Sequence, residues 1–305
     1  MKFLVGYTGF VGSNLSAEEK FDGLYHSTNI ADAYGTRPDL LVYAGVRSEK
    51  FLANHAPEKD LEVVKTAFEN IRKIQPKRLV LISTIDVYQN PADVDEDTAI
   101  ETDGLQPYGL DRYALEQWAE REFPDCLIVR LPGLYGKNLK KNFIYDFIRI
   151  VPSMLTESKF QELCAKDPFL KPYYTKRDDG FYGCVPLSEE SAAVLKAYFD
   201  RIGFSALNFT DSRGTFQFYN LAYLWRHIRT ALEHGLKKVN LVTEPVAVSE
   251  IYRAMKGTEW KNELPRPVPR YRARTKYAEL FGGKSGYIFD RKFVIDDVRK
   301  FIERA

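Results

Sequence analysis

Along the first half of the chain, apolar residues gather in short unbroken runs, and stretches of helical period separate most of these runs. The runs cover residues 2–6, 23–27, 39–44, 78–83 and 126–130. Each is apolar nearly throughout rather than alternating, as expected of a strand buried on both faces of a parallel sheet. Helices are predicted over residues 13–19, 58–74 and 108–122, and in the second of these Leu61, Val64, Phe68 and Ile71 share one face. Strand and helix in alternation specify an α/β fold, a doubly wound parallel sheet with right-handed crossovers. Ligands of such sheets bind beyond the carboxyl ends of the strands. After about residue 140 the pattern loosens. Residues 152–187 mix Pro, Tyr, Lys and Asp without a period, and helices return over 188–201 and 220–234. A strand over 238–242, a basic Pro-rich stretch over 261–274 and a last helix over 293–304 complete the chain. Residues 1–150 therefore read as a nucleotide-binding domain of Rossmann type. Residues 151–305 read mainly as a smaller substrate-binding domain, with about 206–242 returning to the first sheet.

Composition narrows the picture by exclusion. With 44 Lys+Arg against 42 Asp+Glu among 305 residues, the net charge is +2, which gives no reason to expect nucleic acid or a membrane surface as partner. Cys126, Cys164 and Cys184 form no CxxC pair, so neither a metal site nor a disulfide framework is expected, and a reducing compartment is. The apolar run at the N-terminus is too short for a signal peptide, and no run approaches the roughly 18 residues that span a bilayer. The expectation is a cytoplasmic protein.

Three motifs carry candidate chemistry. Gly6, Gly9 and Gly12 form a GxxGxxG directly after the first strand, where glycine permits a tight turn and close approach of backbone to a pyrophosphate at a helix N-terminus. Residues 83–88 (STIDVY) end the fourth strand, and residues 107–116 (PYGLDRYALE) open the next helix. A tyrosine is a poor acid or base at its ordinary pKa of about 10, and a fixed cation lowers that value. Arg112 lies one helical turn after Tyr108, on the same face. The blander reading makes Tyr108 a helix-capping residue and Arg112 a solvated charge.

In this order and spacing, GxxGxxG, S-T-x-x-V-Y and P-Y-G-x-x-R-x-x-x-E resemble the extended short-chain dehydrogenase/reductase family that works on nucleotide sugars. The resemblance continues in residues 129–136 (VRLPGLYG), in Arg213 ahead of residues 216–220 (FQFYN), and in residues 273–282 (ARTKYAELFG). It implies Tyr108 as acid/base, Thr84 as the hydroxyl that bonds the reacting oxygen, and Arg112 in the place of the family's lysine. Cofactor contacts are implied for Gly6, Thr8, Gly9, Phe10, Val11, Gly12, Ser27, Thr28, Asn29, Ala44, Gly45, Ser83, Tyr108, Arg112, Leu131, Pro132 and Gly133. Substrate contacts are implied for Thr84, Arg213 and Arg270. Three departures stand out. Arginine replaces lysine at 112, and its planar fork is not a compact ammonium. No acid ends the second strand, where Ser27 and Thr28 favour NADP slightly over NAD. Arg274 stands where relatives commonly have aspartate, within a basic set that includes Arg266, Arg270 and Arg272. The implied activity is an NAD(P)-dependent epimerase or 4-keto reductase. A dehydratase ranks lower, because the acid pair expected after Thr84 reads Ile85-Asp86. The alternative is a non-catalytic cofactor- or nucleotide-sugar-binding protein on the same fold. Relatives often form homodimers.

Overall fold

The computed structural model describes residues 1–305, apart from the side chains of Phe51 and Leu52. The first half runs β1 (Lys2–Val5), α1 (Phe10–Glu18), β2 (Gly23–Tyr25), β3 (Leu40–Tyr43), α2 (Lys50–His55), α3 (Pro57–Ile74), β4 (Leu79–Thr84), α4 (Pro107–Glu122), β5 (Cys126–Leu131), β6 (Gly133–Tyr135) and α5 (Phe143–Arg149). The second half adds β7 (Met154–Leu155), α6 (Glu157–Lys166), β8 (Tyr174–Lys176), β9 (Tyr182–Cys184), α7 (Glu189–Ile202), β10 (Thr215–Phe216), β11 (Phe218–Asn220) and α8 (Leu224–Glu233). It closes with β12 (Lys238–Asn240), β13 (Val246–Ala247), α9 (Val248–Lys256) and α10 (Arg291–Glu303).

Six strands form the central sheet in the order β12-β5-β4-β3-β1-β2, and every neighbouring pair is parallel. Alternate residues of these strands serve two cores. Phe3, Val5, Leu41, Tyr43, Leu79, Leu81 and Ile128 face α3 and α4 through Val64, Ile71, Leu115 and Trp118. Leu4, Val42, Val80, Leu127 and Val129 face Leu15 of α1 and Leu224 and Ile228 of α8. Both faces are covered, which is why the strands read as continuous apolar runs. Chain order reverses between β1 and β3, so the crevice for a ligand opens beyond their carboxyl ends.

Beyond α5 the strands are only two or three residues long. The three strands β7, β9 and β8 form a small antiparallel sheet, and with α6 and α7 they enclose a separate cluster around Leu155, Phe160, Leu170, Leu195 and Phe199. The pair β6 and β11 is parallel and the pair β10 and β13 antiparallel. Sequence periodicity alone misplaced the first helix, which begins at Phe10 rather than near residue 13. Its nine residues carry almost no amphipathic signal, because Gly12 and Asn14 are buried beside Leu15.

Candidate active site at the carboxyl edge of the sheet

The glycines of the first loop do different work. Gly6 has φ +90, and a Cβ there would lie 2.5 Å from the Ala44 carbonyl oxygen. A Cβ on Gly12 would lie 2.1 Å from the Gly6 oxygen. Gly6 thus lets the β1–α1 turn pass under the residues that follow β3, and Gly12 lets the first turn of α1 close on that loop. Gly9 has an ordinary backbone (φ -78) and caps α1 with no side-chain hydrogen bond, and a Cβ on it meets only the Gly6 oxygen, at 3.2 Å. The first turn of α1 holds no acidic residue. Its N–H groups and the positive end of its dipole face the switch point between β1 and β3, a setting that fits a pyrophosphate. Thr8 is exposed on this loop, while Phe10, Val11, Ala44 and Gly45 are partly buried around it. At the end of β2, Ser27 and Thr28 are exposed, Asn29 Oδ1 accepts the His26 N–H at 2.8 Å, and Asp32 lies within the short turn over Ile30–Ala33 that follows.

Thr84 ends β4 and its Oγ1 accepts the Asp86 N–H at 3.1 Å, capping a 3-10 turn over Ile85–Val87. That turn lies against α4, since a Cβ on Gly109 would stand 2.1 Å from the Asp86 carbonyl oxygen. Tyr108 sits beside this contact at the start of α4, after Pro107, and only 7% of it is exposed. Arg112 is buried. It pairs with Asp60 of α3 and donates to the Arg47 carbonyl, and its guanidinium carbon lies 4.1 Å from the Tyr108 ring centroid. The solvated-charge reading of Arg112 is therefore wrong. The expectation that Arg112 draws the phenol pKa toward neutrality also needs correction. Burial raises the Tyr108 pKa above its usual value, and Arg112 and Lys50 pull it down against Asp86 and Asp60. Burial outweighs the two cations.

Periodicity and motif spacing missed a second cluster in this neighbourhood. Lys50 Nζ lies 2.8 Å from Asp86 Oδ1 and donates to the Tyr271 hydroxyl at 3.2 Å, and that hydroxyl is 3.1 Å from the same Asp86 oxygen. Tyr271 in turn stacks on Phe216 with ring centroids 5.7 Å apart. Lys50 lies in the plain polar stretch of residues 47–50, and no spacing ties 50 to 86 or 271. Asp86 alone was visible, inside the S-T-x-x-V-Y motif.

Several motif residues converge away from the crevice. Ser83 Oγ donates to Glu116 at 2.5 Å, Arg130 pairs with Glu116 at 2.6 Å, and Arg130 Nη1 donates to the Tyr88 hydroxyl at 2.7 Å. Glu116 and Arg130 are 0% and 1% exposed, so this network is a strut between β4, β5 and α4. Leu131 is buried at the end of β5, with Pro132 half-buried and Gly133 exposed beyond it. Arg213 is 45% exposed and grips Asp211 through Nε at 2.9 Å and Nη2 at 2.7 Å, with Glu263 3.2 Å from Nη1. This fork holds the Asp211 carboxyl well below the usual range. Arg270 is exposed and its backbone bridges Thr215. Arg272 and Arg274 pair with Asp93, and Arg266 donates to the Phe209 carbonyl at 2.6 Å. The basic stretch is thus largely tied to the protein.

Residues 23–163 match the NAD dependent epimerase/dehydratase family. No curated protein matches the chain by sequence. The fold is shared with dTDP-4-dehydrorhamnose reductase from Bacillus anthracis in complex with NADP, at 15% identity and TM-score 0.62, covering 100% of this chain and 99% of that one. It is shared also with UDP-N-acetylglucosamine 4-epimerase from Methanobrevibacter ruminantium in complex with UDP-N-acetylmuramic acid (11% identity, TM-score 0.64, 99% and 98% covered). A third structure of this kind is UDP-glucose 4-epimerase from Thermotoga maritima with UDP-glucose (15% identity, TM-score 0.60, 99% and 98% covered). The chain shares the Rossmann fold of these structures. Among its described residues no helix is long and apolar enough to cross a membrane.

Proposed function

We propose that the chain is an NAD(P)-dependent epimerase or 4-keto reductase acting on a nucleotide sugar, with Tyr108 as its acid/base. The observation that supports this reading is the packing of the Thr84-capped turn on α4 at Gly109, which brings the backbone that follows Thr84 against the residue after Tyr108. A bound nicotinamide cofactor supplies hydride transfer. The uncapped start of α1, with Gly6, Thr8, Gly9, Phe10, Val11 and Gly12, holds its pyrophosphate, and Ala44, Gly45, Leu131, Pro132 and Gly133 complete the wall. Ser27 and Thr28, exposed at the end of β2, accept NADP at least as well as NAD. Thr84 donates to the reacting oxygen of the sugar. Tyr108 exchanges a proton with that oxygen, and Arg112 holds positive charge against the phenol ring. Ser83 supports the site from behind, through Glu116.

Arg213 and Arg270 bind the nucleotide diphosphate in this reading. Arg213 does so as one fork already oriented by Asp211 and Glu263. The first 150 residues serve the cofactor. The remainder serves mainly the sugar nucleotide, with about 206–242 shared between them. The enzyme works in the cytoplasm, as a homodimer.

One observation favours the non-catalytic alternative, the upward shift of the Tyr108 pKa by burial. A panel of UDP- and dTDP-sugars with either cofactor separates the two readings. Turnover that Tyr108→Phe abolishes, with cofactor affinity unchanged, supports the enzyme. Full activity in Tyr108→Phe would remove Tyr108 from its role, and binding of a sugar nucleotide without any turnover would favour the alternative.

A further inference from the structure

The first N–H groups of a helix have no acceptor within it and need one from outside. At the start of α4, Pro107 has no N–H to satisfy, and the side chain of Gln106 at the N-cap makes no capping bond. The first donor is therefore the N–H of Tyr108, a residue only 7% exposed. Its acceptor comes from another helix: Asn54 Oδ1 of α2 takes this hydrogen bond at 3.1 Å, across 54 residues of chain. The first bond within α4 comes two residues later, from the Leu110 N–H to the Gln106 carbonyl. Asn54 thus does for α4 what a capping side chain at Gln106 would do.

The six residues of α2 are too few to hold a helix in place by themselves, and the segment is fixed from three directions. Arg112 of α4 donates to the Arg47 carbonyl just ahead of it. Lys141 donates to the Ser48 carbonyl. Lys50, at the head of α2, meets Asp86 Oδ1 at 2.8 Å and the Tyr271 hydroxyl at 3.2 Å. The backbone of Asp86 packs in turn on Gly109, the neighbour of Tyr108. One end of α2 is therefore tied to the turn that follows Thr84, and the other end holds the backbone of Tyr108.

We propose that Asn54 is a positioning residue for the acid/base, and that α2 is the bracket through which it sets Tyr108 relative to the Thr84 turn. The residue type suits the task. Asp60, Asp86 and Asp111 already bring three carboxyl groups to the first turns of α4, where Asp60 pairs with Arg112 and Asp86 with Lys50. An amide oxygen caps the helix without adding a fourth negative charge near a phenol that must lose its proton.

This inference rests on Tyr108 as the acid/base, yet the first part of its test needs no substrate. Amide hydrogen exchange at Tyr108 should speed up by roughly fivefold or more in Asn54→Ala, the effect of losing one helix cap. Asn54→Leu, which fills similar space without an acceptor, should do the same, and Asn54→Asp should restore the protection. A fluorinated tyrosine at 108 should give a shifted or broadened fluorine resonance in Asn54→Ala, while one at the fully buried Tyr219 stays as in the parent. With a nucleotide sugar that turns over, Asn54→Ala should lower kcat by roughly tenfold or more, because a small misplacement of a reacting group is costly. KM and cofactor affinity should change little. Tyr108 exchange and fluorine signals that match the parent in both Asn54→Ala and Asn54→Leu would overturn the proposal, as would an unchanged kcat. A fluorine signal that moves equally at 108 and 219 would do so too, since it would show a general loosening of the fold. The predicted exchange and fluorine results together with no turnover of any nucleotide sugar would leave the bracket standing and count against the enzymatic reading alone.

Discussion

Two arginines, each picked out by a motif, end in opposite circumstances. Arg130 is 1% exposed and locked between Glu116 and Tyr88. Arg213 is 45% exposed and reaches from solvent to the buried Asp211 and the exposed Glu263 in the second half. The same side chain is a strut in one region and a displaceable contact in the other. In the sheet half, parallel strands covered on both faces bury whatever lies between them, so a charge survives there only when fully paired. In the second half the strands are two or three residues long, and their connections keep charges in water. Function that must exchange partners belongs to the second kind of site, and function that must hold geometry belongs to the first.

The comparison is broken most severely by Glu116→Ala. Removing the carboxylate leaves Arg130 buried and unpaired and takes the acceptor from Ser83, so a loss of about 3–5 kcal/mol is expected in chemical denaturation. A loss too small to resolve would mean that the network is not a strut.

Burial in the sheet half also predicts a pH response. His227 of α8 is 2% exposed, with Nδ1 2.7 Å from the Tyr219 hydroxyl, and burial, aided by the Arg226 charge, lowers its pKa to about 4. The unfolded chain takes up this proton near pH 6.5 and the folded one only near pH 4, so stability is complete above the first value and falls between them. Up to about 3 kcal/mol is lost across that window. His227→Gln should flatten this arm of the stability–pH curve, while an equally steep arm in the variant would exclude the histidine as its source.

The smallest effect on the fold is expected at Arg213. Arg213→Ala should lower the melting temperature less than Glu116→Ala does, since Asp211 keeps the Leu264 and residue-213 backbone N–H groups, while weakening a UDP- or dTDP-sugar by roughly tenfold or more, the effect of a lost charged hydrogen bond. Equal affinity in variant and parent would exclude the contact.

The same contrast explains how much could be read from sequence. The four inner sheet strands β1, β3, β4 and β5 announce themselves because double burial makes each an apolar run, and α3 because its helical face is regular. The two- and three-residue strands of the second half have no room for a period. Ser83, Glu116 and Arg130 lie in three separate motifs, and nothing in their spacing showed that they meet in a buried strut. Arg112 was legible as a charge near Tyr108. Its guanidinium position over the ring, and the burial that raises the phenol pKa, are tertiary. Lys50 was illegible, because it meets Asp86 and Tyr271 only after segments 36 and 221 residues away have been brought together.

The central claim is that a nicotinamide cofactor binds on the glycine turn between β1 and β3. Calorimetric titration of NADP and NAD into the parent protein and Gly9→Val tests it most directly. Gly9, unlike Gly6 and Gly12, meets only one backbone atom closely, at 3.2 Å. A side chain there should block the pyrophosphate while the fold and its melting temperature survive. The account predicts that the parent binds NADP at least as tightly as NAD, and that Gly9→Val loses both. A parent protein that binds neither cofactor at millimolar concentration, or a Gly9→Val variant that binds as the parent does, would contradict it.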